Sequence, residues 1–149
     1  MNALGVFGAP TAPQTARAAA FEYQYQPSYV NVTGSGTIAG PSGPVSFDLT
    51  VKDDNDVNSG NCTVTEPKSK TKIRCQTVTF LDFKDLGSGV TEATFGGTAT
   101  VNGTTTTFTI RVHDAGSPAI GVDTFAIDAD GFHAGGALTG GNLTIHFTP

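Results

Sequence analysis

Two acidic sets supply the oxygen-rich chemistry of this chain. Asp53, Asp54 and Asp56 stand with Asn55 in a polar loop over residues 52–60, and Asp114, Asp123, Asp128 and Asp130 flank a short strand. Carboxylate and amide oxygens are the ligands that Ca2+ takes, so both sets are calcium candidates. The first set lacks the D-x-D-x-D-G spacing and terminal Glu of an EF-hand. A solvated loop accounts for the first set, and turn-capping side chains account for the second. His113, His133 and His146 are the zinc alternative. No two of them sit at ligand spacing, and His146 lies between Ile145 and Phe147, which points it off the apolar face. No G-x-S-x-G elbow is present. Glu is confined to Glu22, Glu66 and Glu92, and there is no Trp to stack on a sugar. No catalytic residue is assigned, and the chain reads as a non-enzyme.

The two cysteines are Cys62 and Cys75. A turn at Pro67-Lys68-Ser69-Lys70 sets Glu66 opposite Thr71, Val64 opposite Ile73 and Cys62 opposite Cys75. Directly opposed cysteines in a strand pair lie within bridging distance. A disulfide closing so short a loop stabilises by roughly 3 kcal/mol in the chain-entropy model, and it implies an oxidising compartment. The same turn and second strand carry Lys68, Lys70, Lys72 and Arg74. This basic stripe reads either as a surface for an acidic neighbour or as charge that keeps an edge strand from pairing. The second reading is the plainer one.

Strand patterns surround these residues. Residues 91–112 form a hairpin about Asn102-Gly103, the dipeptide favoured in a turn that needs φ > 0 at both central positions. Folding there pairs Val101 with Thr104, Gly97 with Phe108, Phe95 with Ile110 and Ala93 with Val112. One face is apolar and the other almost all Thr, so a one-residue slip would bury the threonines. Gly97 opposite Phe108 is expected to let the ring lie over bare backbone. Val45, Phe47, Leu49 and Val51 share one face, as do Phe125 with Ile127 and Leu143 with Ile145 and Phe147. The strand after Cys75 shifts its apolar parity twice before Phe83, the mark of a bulge. Residues 34–43 read as turn-rich, and 133–141 and 142–147 as two separate strands. No helical period runs over three turns. The expectation is a single-domain, all-β antiparallel sandwich of about nine strands, with a small β-barrel as the alternative.

The chain has 149 residues, a formal net charge of −5 and only 14% charged side chains. That balance argues against a nucleic-acid partner, and no apolar run approaches the roughly 20 residues of a membrane-spanning helix. Residues 1–20 form a Gly/Ala/Pro-rich segment, read as a flexible arm or a signal remnant ending in Ala18-Ala19-Ala20, and the β-domain spans residues 21–149. Phe21, Tyr23 and Tyr25 alternate at the root of the arm and are interface candidates together with the basic stripe.

The C-terminal third carries GTATVNG, FTIRVHDAGSP, DTFAI and the ending GGALTGGNLTIH. It resembles the post-COAP domain family, β-domains that usually lie at the C-terminus of secreted proteins of actinobacteria and related bacteria. The resemblance covers about residues 45–146 and is best after Phe95. It implies a β-domain on secreted or surface proteins and no activity. The cysteine hairpin, its basic stripe and the first 20 residues lie outside the pattern. The expected function is an extracellular structural or binding module: a surface, adhesin-like or filament subunit. It would form a homo-oligomer, or join a partner protein, through strand edges and the arm. A phage virion decoration or tail-surface protein is one alternative. A calcium-dependent carbohydrate-binding module, with a glycan partner, is the other.

Overall fold

Strict alternation over 11 residues makes β2 (Pro44–Asp54) a strand that turns Val45, Phe47, Leu49, Val51 and Asp53 to one side. The computed structural model describes residues 26–116 and 122–149. Its elements run β1 (Tyr29–Ala39), β2, β3 (Val57–Glu66), a single 3-10 turn (Pro67–Ser69), β4 (Thr71–Gly87), β5 (Val90–Val101), β6 (Thr104–Asp114), β7 (Thr124–Ala129) and β8 (Phe132–Thr148). Each strand pairs antiparallel with the next, and β8 returns to pair with β1, so the sheet closes into a barrel. Among the described residues no helix is long and apolar enough to cross a membrane.

The all-β antiparallel class stands, and the sandwich gives way to the barrel. Sandwich and barrel strands share the same alternation. What separates them is whether the first and last strands bond, and here Tyr29 faces Thr148, Val32 faces Ile145 and Gly36 faces Gly141. Nine strands become eight because residues 132–148 form one strand. Its first part, from Phe132 to Ala137, serves β7, and its later part, from Leu138 on, serves β1. The changeover is a bulge at Thr139, between the Thr37–Gly140 and Ile38–Leu138 pairs. Thr139 Oγ1 donates to the Thr37 carbonyl at 3.1 Å and lies 2.8 Å from Thr37 Oγ1, so side chains bridge the gap in the ladder. Gly141, at φ 88°, takes a backbone conformation that a side chain would strain. Gly34 and Gly36 do not interrupt β1, and residues 52–60 are not a loop: a tight Asn55-Asp56 turn leads straight into β3.

The inward faces fill the lumen. Phe47 and Phe125 stack at 4.2 Å, Phe95 meets Phe108 edge-on at 6.2 Å, and Phe83 meets Phe147 at 4.6 Å. Val32, Leu49, Ile73, Ile110, Leu138 and Leu143 close the space between them. An eight-stranded barrel is just wide enough for such filling. Residues 91–112 fold in the expected register throughout. The reason for Gly97 differs from expectation, however. A Cβ there would collide with the Thr77 carbonyl of β4, while the Phe80 ring covers Gly96 from outside. Both follow from β4 bulges between Cys75 and Thr77 and between Val78 and Phe80. The cysteine hairpin pairs as expected, and Cys62 and Cys75 form a disulfide with Cα atoms 5.0 Å apart.

One end of the barrel is closed by a carboxylate. Glu66, 1% exposed, accepts the Ser69 hydroxyl at 2.6 Å through Oε1, and the Ser42 and Gly43 amides at 3.0 and 3.2 Å through Oε2. The Ser69 hydroxyl, aided by the two amides, outweighs burial and holds the Glu66 carboxyl below its ordinary 4.5. A depressed folded pKa gives stability that is present above pH 4.5 and lost as pH falls through the folded value. Glu66→Gln should therefore flatten the acid limb of urea-denaturation midpoints measured between pH 2.5 and 6. An acid limb as steep as in the wild type would contradict this role. Reducing the disulfide should lower the unfolding free energy by about 3 kcal/mol without loss of the β signal in circular dichroism.

Candidate functional site

The filled lumen turns attention to the mouth and the wall. At the mouth, β7 is short, so the end of β6 runs on towards β8 without a strand between them. Asp114 and Asp123 bridge that interval. Asp114 Oδ2 accepts the Ile145 amide at 2.9 Å and its Oδ1 accepts the Gly116 amide at 3.3 Å. Asp123 Oδ1 accepts the Ala115 amide at 2.8 Å, and its carbonyl accepts the Leu138 amide at 3.0 Å. These carboxylates act as backbone acceptors that finish the barrel. Asp128 and Asp130 lie at the far end of β7, so the second acidic set does not converge.

The first set divides as well. Asp53 turns inward and is 5% exposed, with Gln26 Nε2 donating to its Oδ2 at 3.3 Å, whereas Asp54 and Asp56 face solvent. Asn58, the register partner of Asp53, also reaches inward, and Oδ1 of each is buried with no hydrogen-bond partner among the described residues. Two such oxygens fall far short of the six to eight that Ca2+ takes. Among the described residues, no three His, Cys, Asp or Glu side chains are grouped to hold a metal. The histidines are separate: His113 Nε2 lies 3.2 Å from Glu92 and its Nδ1 2.9 Å from Thr124 Oγ1, His133 pairs with Asp128, and His146 is exposed.

A shallow hollow of about 280 Å³ lies on the outer wall of β6, β7 and β8, where Ala126 and Gly135 leave room between Arg111, Asp128 and His133. Thr109 stands opposite Asp128, and Asp128 opposite His133. The order across the strands is hydroxyl, carboxylate, imidazole. A hydrolytic triad needs the imidazole in the middle to take the hydroxyl proton, so this row does not build a nucleophile.

The wall is weakest beside β4. β3 and β4 pair only from Thr63 opposite Arg74 to Glu66 opposite Thr71. The disulfide holds the next position. Further along, the Asn58 side-chain amide donates to the Thr79 carbonyl at 3.3 Å where a ladder bond would otherwise lie. Beyond this point β3 has ended, and β4 runs on alone of the two, with residues 81–85 and Gly87 paired to β5. Val57 and Phe80 adjoin the Asn58–Thr79 crossing and Leu86 lies near the far end of β4, and they are three of the four exposed large hydrophobics among the described residues. Sequence reasoning missed this stretch. Its signal was the length mismatch between a 17-residue β4 and a 10-residue β3.

The basic stripe sits at the other end of β4. Lys72 and Arg74 face outward, and this part of the strand is paired to β3 on one side and, at Ile73 and Arg74, to β5 on the other. It is no edge, so edge protection does not explain the charges. Phe21, Tyr23, Tyr25 and the arm of residues 1–20 lie outside the described residues, as does the segment 117–121. No family model, no curated protein and no solved structure matches this chain.

Burial raises the Asp123 carboxyl above its ordinary 3.8; the Ala115 amide opposes this, and the nearby Asp114 charge adds to the rise. A raised folded pKa gives stability that is full below pH 3.8 and lost as pH rises through the folded value. Asp123→Asn keeps the acceptor for Ala115 and removes the titration. The stability of the wild type relative to this variant should fall between pH 3 and pH 7, in chemical denaturation read by tyrosine fluorescence. A difference that does not change with pH would contradict the assignment.

Proposed function

We propose that this chain is a non-enzymatic, extracellular structural or binding domain that assembles through the exposed apolar side chains along β4, where the strand outruns β3. The observation that carries the reading is the exposure of Val57, Phe80 and Leu86 along the stretch where the 17-residue β4 outruns the 10-residue β3. Exposed apolar side chains grouped on a folded surface mark places where a partner packs, and an added strand gains specificity from pockets for its alternate side chains. A filled lumen supports a role carried by the outer surface. The alternating Phe21, Tyr23 and Tyr25 at the root of the arm have the pattern of a donor strand for a neighbouring copy or a partner protein. The disulfide is consistent with an oxidising, extracellular setting, and the resemblance to post-COAP domains supports the same placement.

Light scattering coupled to size exclusion tests this. The full chain should show a concentration-dependent mass above 15.3 kDa. Val57→Glu with Leu86→Glu, which puts charge on this stretch, should return it to a monomer with unchanged circular dichroism, and deletion of residues 1–20 should lower the mass as well. A monomer at all concentrations, with no change in either variant, would remove the assembly reading.

A further inference from the structure

The stripe of Lys68, Lys70, Lys72 and Arg74 is left without a structural purpose by the fold. It does not guard an edge, because β4 is paired on both sides at this level. Nor does it balance local acid. Ion pairs among the described residues join Arg111 and His113 to Glu92, and His133 to Asp128, and none involves the stripe. The carboxylate nearest in sequence, Glu66, turns inward onto Ser69, Ser42 and Gly43. Four cations thus stand together uncompensated on a protein whose net charge is −5.

The support beneath them is unusually firm. Asn102 donates its amide to the Lys72 carbonyl and accepts the Lys72 amide on Oδ1, both at 2.8 Å, so the tip of the β5–β6 hairpin is locked to β4. Cys75, the residue after Arg74, is tied to Cys62. Lys70 caps the 3-10 turn in a left-handed conformation, at φ 57°, and the stem of Lys68 lies across Gly43. Between Lys72, Arg74, Thr100, Asn102 and Gly103 is a hollow of about 370 Å³. Thr100 is the register partner of Arg74, which sets a hydroxyl beside the guanidinium.

This chemistry fits tetrahedral oxyanions. A guanidinium presents a planar fork to two oxygens of a sulfate or phosphate, and lysines supply point charges. Outward residues two apart on a strand are spaced by about 6.8 Å, which separates Lys72 from Arg74 along β4, and Lys70 and Lys68 follow in the adjoining turn, so the cations form a row rather than one pocket. A row of that spacing suits successive charged groups of a polymer. No aromatic side chain lines the hollow, and base stacking is what single-stranded nucleic acid needs. We propose that this wall binds a linear anionic polysaccharide bearing sulfate or phosphate esters. Arg74 and Thr100 grip one ester in the hollow, and Lys72, Lys70 and Lys68 follow the chain beyond it. This site is distinct from the apolar stretch of β4, and it does not require that stretch to be occupied.

Titration calorimetry with a heparin-derived hexasaccharide and with long-chain polyphosphate, at 50 mM and 150 mM salt, tests the proposal. The wild type should bind, and the logarithm of its affinity should fall linearly with that of salt. Lys72→Gln with Arg74→Gln should weaken binding by about tenfold or more and flatten the salt slope. Arg74→Lys, which keeps the charge and loses the fork, should fall between. Lys52→Gln, near the opposite end of the barrel, and the Val57→Glu/Leu86→Glu variant should bind as the wild type. The proposal is overturned if neither polyanion binds at 50 mM salt, or if Lys52→Gln weakens binding as much as the stripe variant. Equal affinity for oligo(dT) would reassign the wall to nucleic acid. Loss of self-association in the stripe variant, with polyanion affinity unchanged, would reassign it to the acidic surface of a second copy.

Discussion

The ladder between β1 and β8 is the constraint from which the rest of the molecule follows. An antiparallel meander with a buried face can end as two open edges or close on itself, and closure removes both edges at once. Here it requires β8 to change partners partway along, from β7 to β1. That change accounts for three local features that otherwise look unrelated. Thr139 bulges and binds across to Thr37. Gly141 takes a positive φ beside the bulge. Asp114 and Asp123 bridge where β7 is too short to reach, giving carboxylate oxygens to backbone amides. A buried amide without an acceptor costs free energy comparable to a lost hydrogen bond, so these acids are part of the wall. Their acidity is what the barrel needs to finish its hydrogen bonding, and this makes them poor evidence for a ligand.

A second constraint acts at β4, where the strand outruns β3. The disulfide marks the boundary. On one side of it the strand is paired to both neighbours and carries cations; on the other it loses its β3 ladder, bulges against β5 and leaves apolar side chains exposed. The bulges explain why Gly97 must be glycine, because the Thr77 carbonyl of β4 lies where its Cβ would be, while a Cβ on Gly96 would meet the Phe108 carbonyl of β6 and the Phe80 ring. One covalent link therefore separates a charged surface from a stretch of the same strand that bulges and exposes apolar side chains.

Much of this was legible from periodicity and turn chemistry. Asn102-Gly103 fixes the register of residues 91–112, and the spacing about Pro67–Ser69 places Cys62 against Cys75. The inward residues of β2, β7 and β8 follow from alternation alone, and the parity shifts after Cys75 mark real bulges. Closure was not legible, because Val30, Val32, Leu143 and Ile145 look the same in a sandwich as in a barrel. The glycines of residues 34–43 resemble turns locally, and those of residues 133–141 suggest a weak strand separate from 142–147, yet each stretch runs on in a continuous strand because cross-strand bonding outweighs weak β-propensity. Asp53 looked solvated beside Asp54 and Asp56. Strand parity, carried one residue further than the apolar run, would have turned it inward.

The placement of charge follows from the same geometry. Asp53, Asp54, Asp85 and Asp114 lie at the end of the barrel where β1 begins, whereas Lys68, Lys70, Lys72 and Arg74 cluster around the end where β3 gives way to β4. Alternation puts Lys72 and Arg74 on the outer face because Ile73 must point in. The turn puts Lys68 and Lys70 nearby because no apolar residue is needed there. Core formation thus decides where these side chains can go, but not that they be basic. Neutral Thr occupies the equivalent outward positions on β5 and β6 without harm to the fold. Cations at four such positions on an acidic protein add local repulsion, which is a cost to the folded state, with no pairing to offset it. A feature that the fold permits, does not require and is slightly weakened by finds its physical reason in something outside the chain that carries the opposite charge.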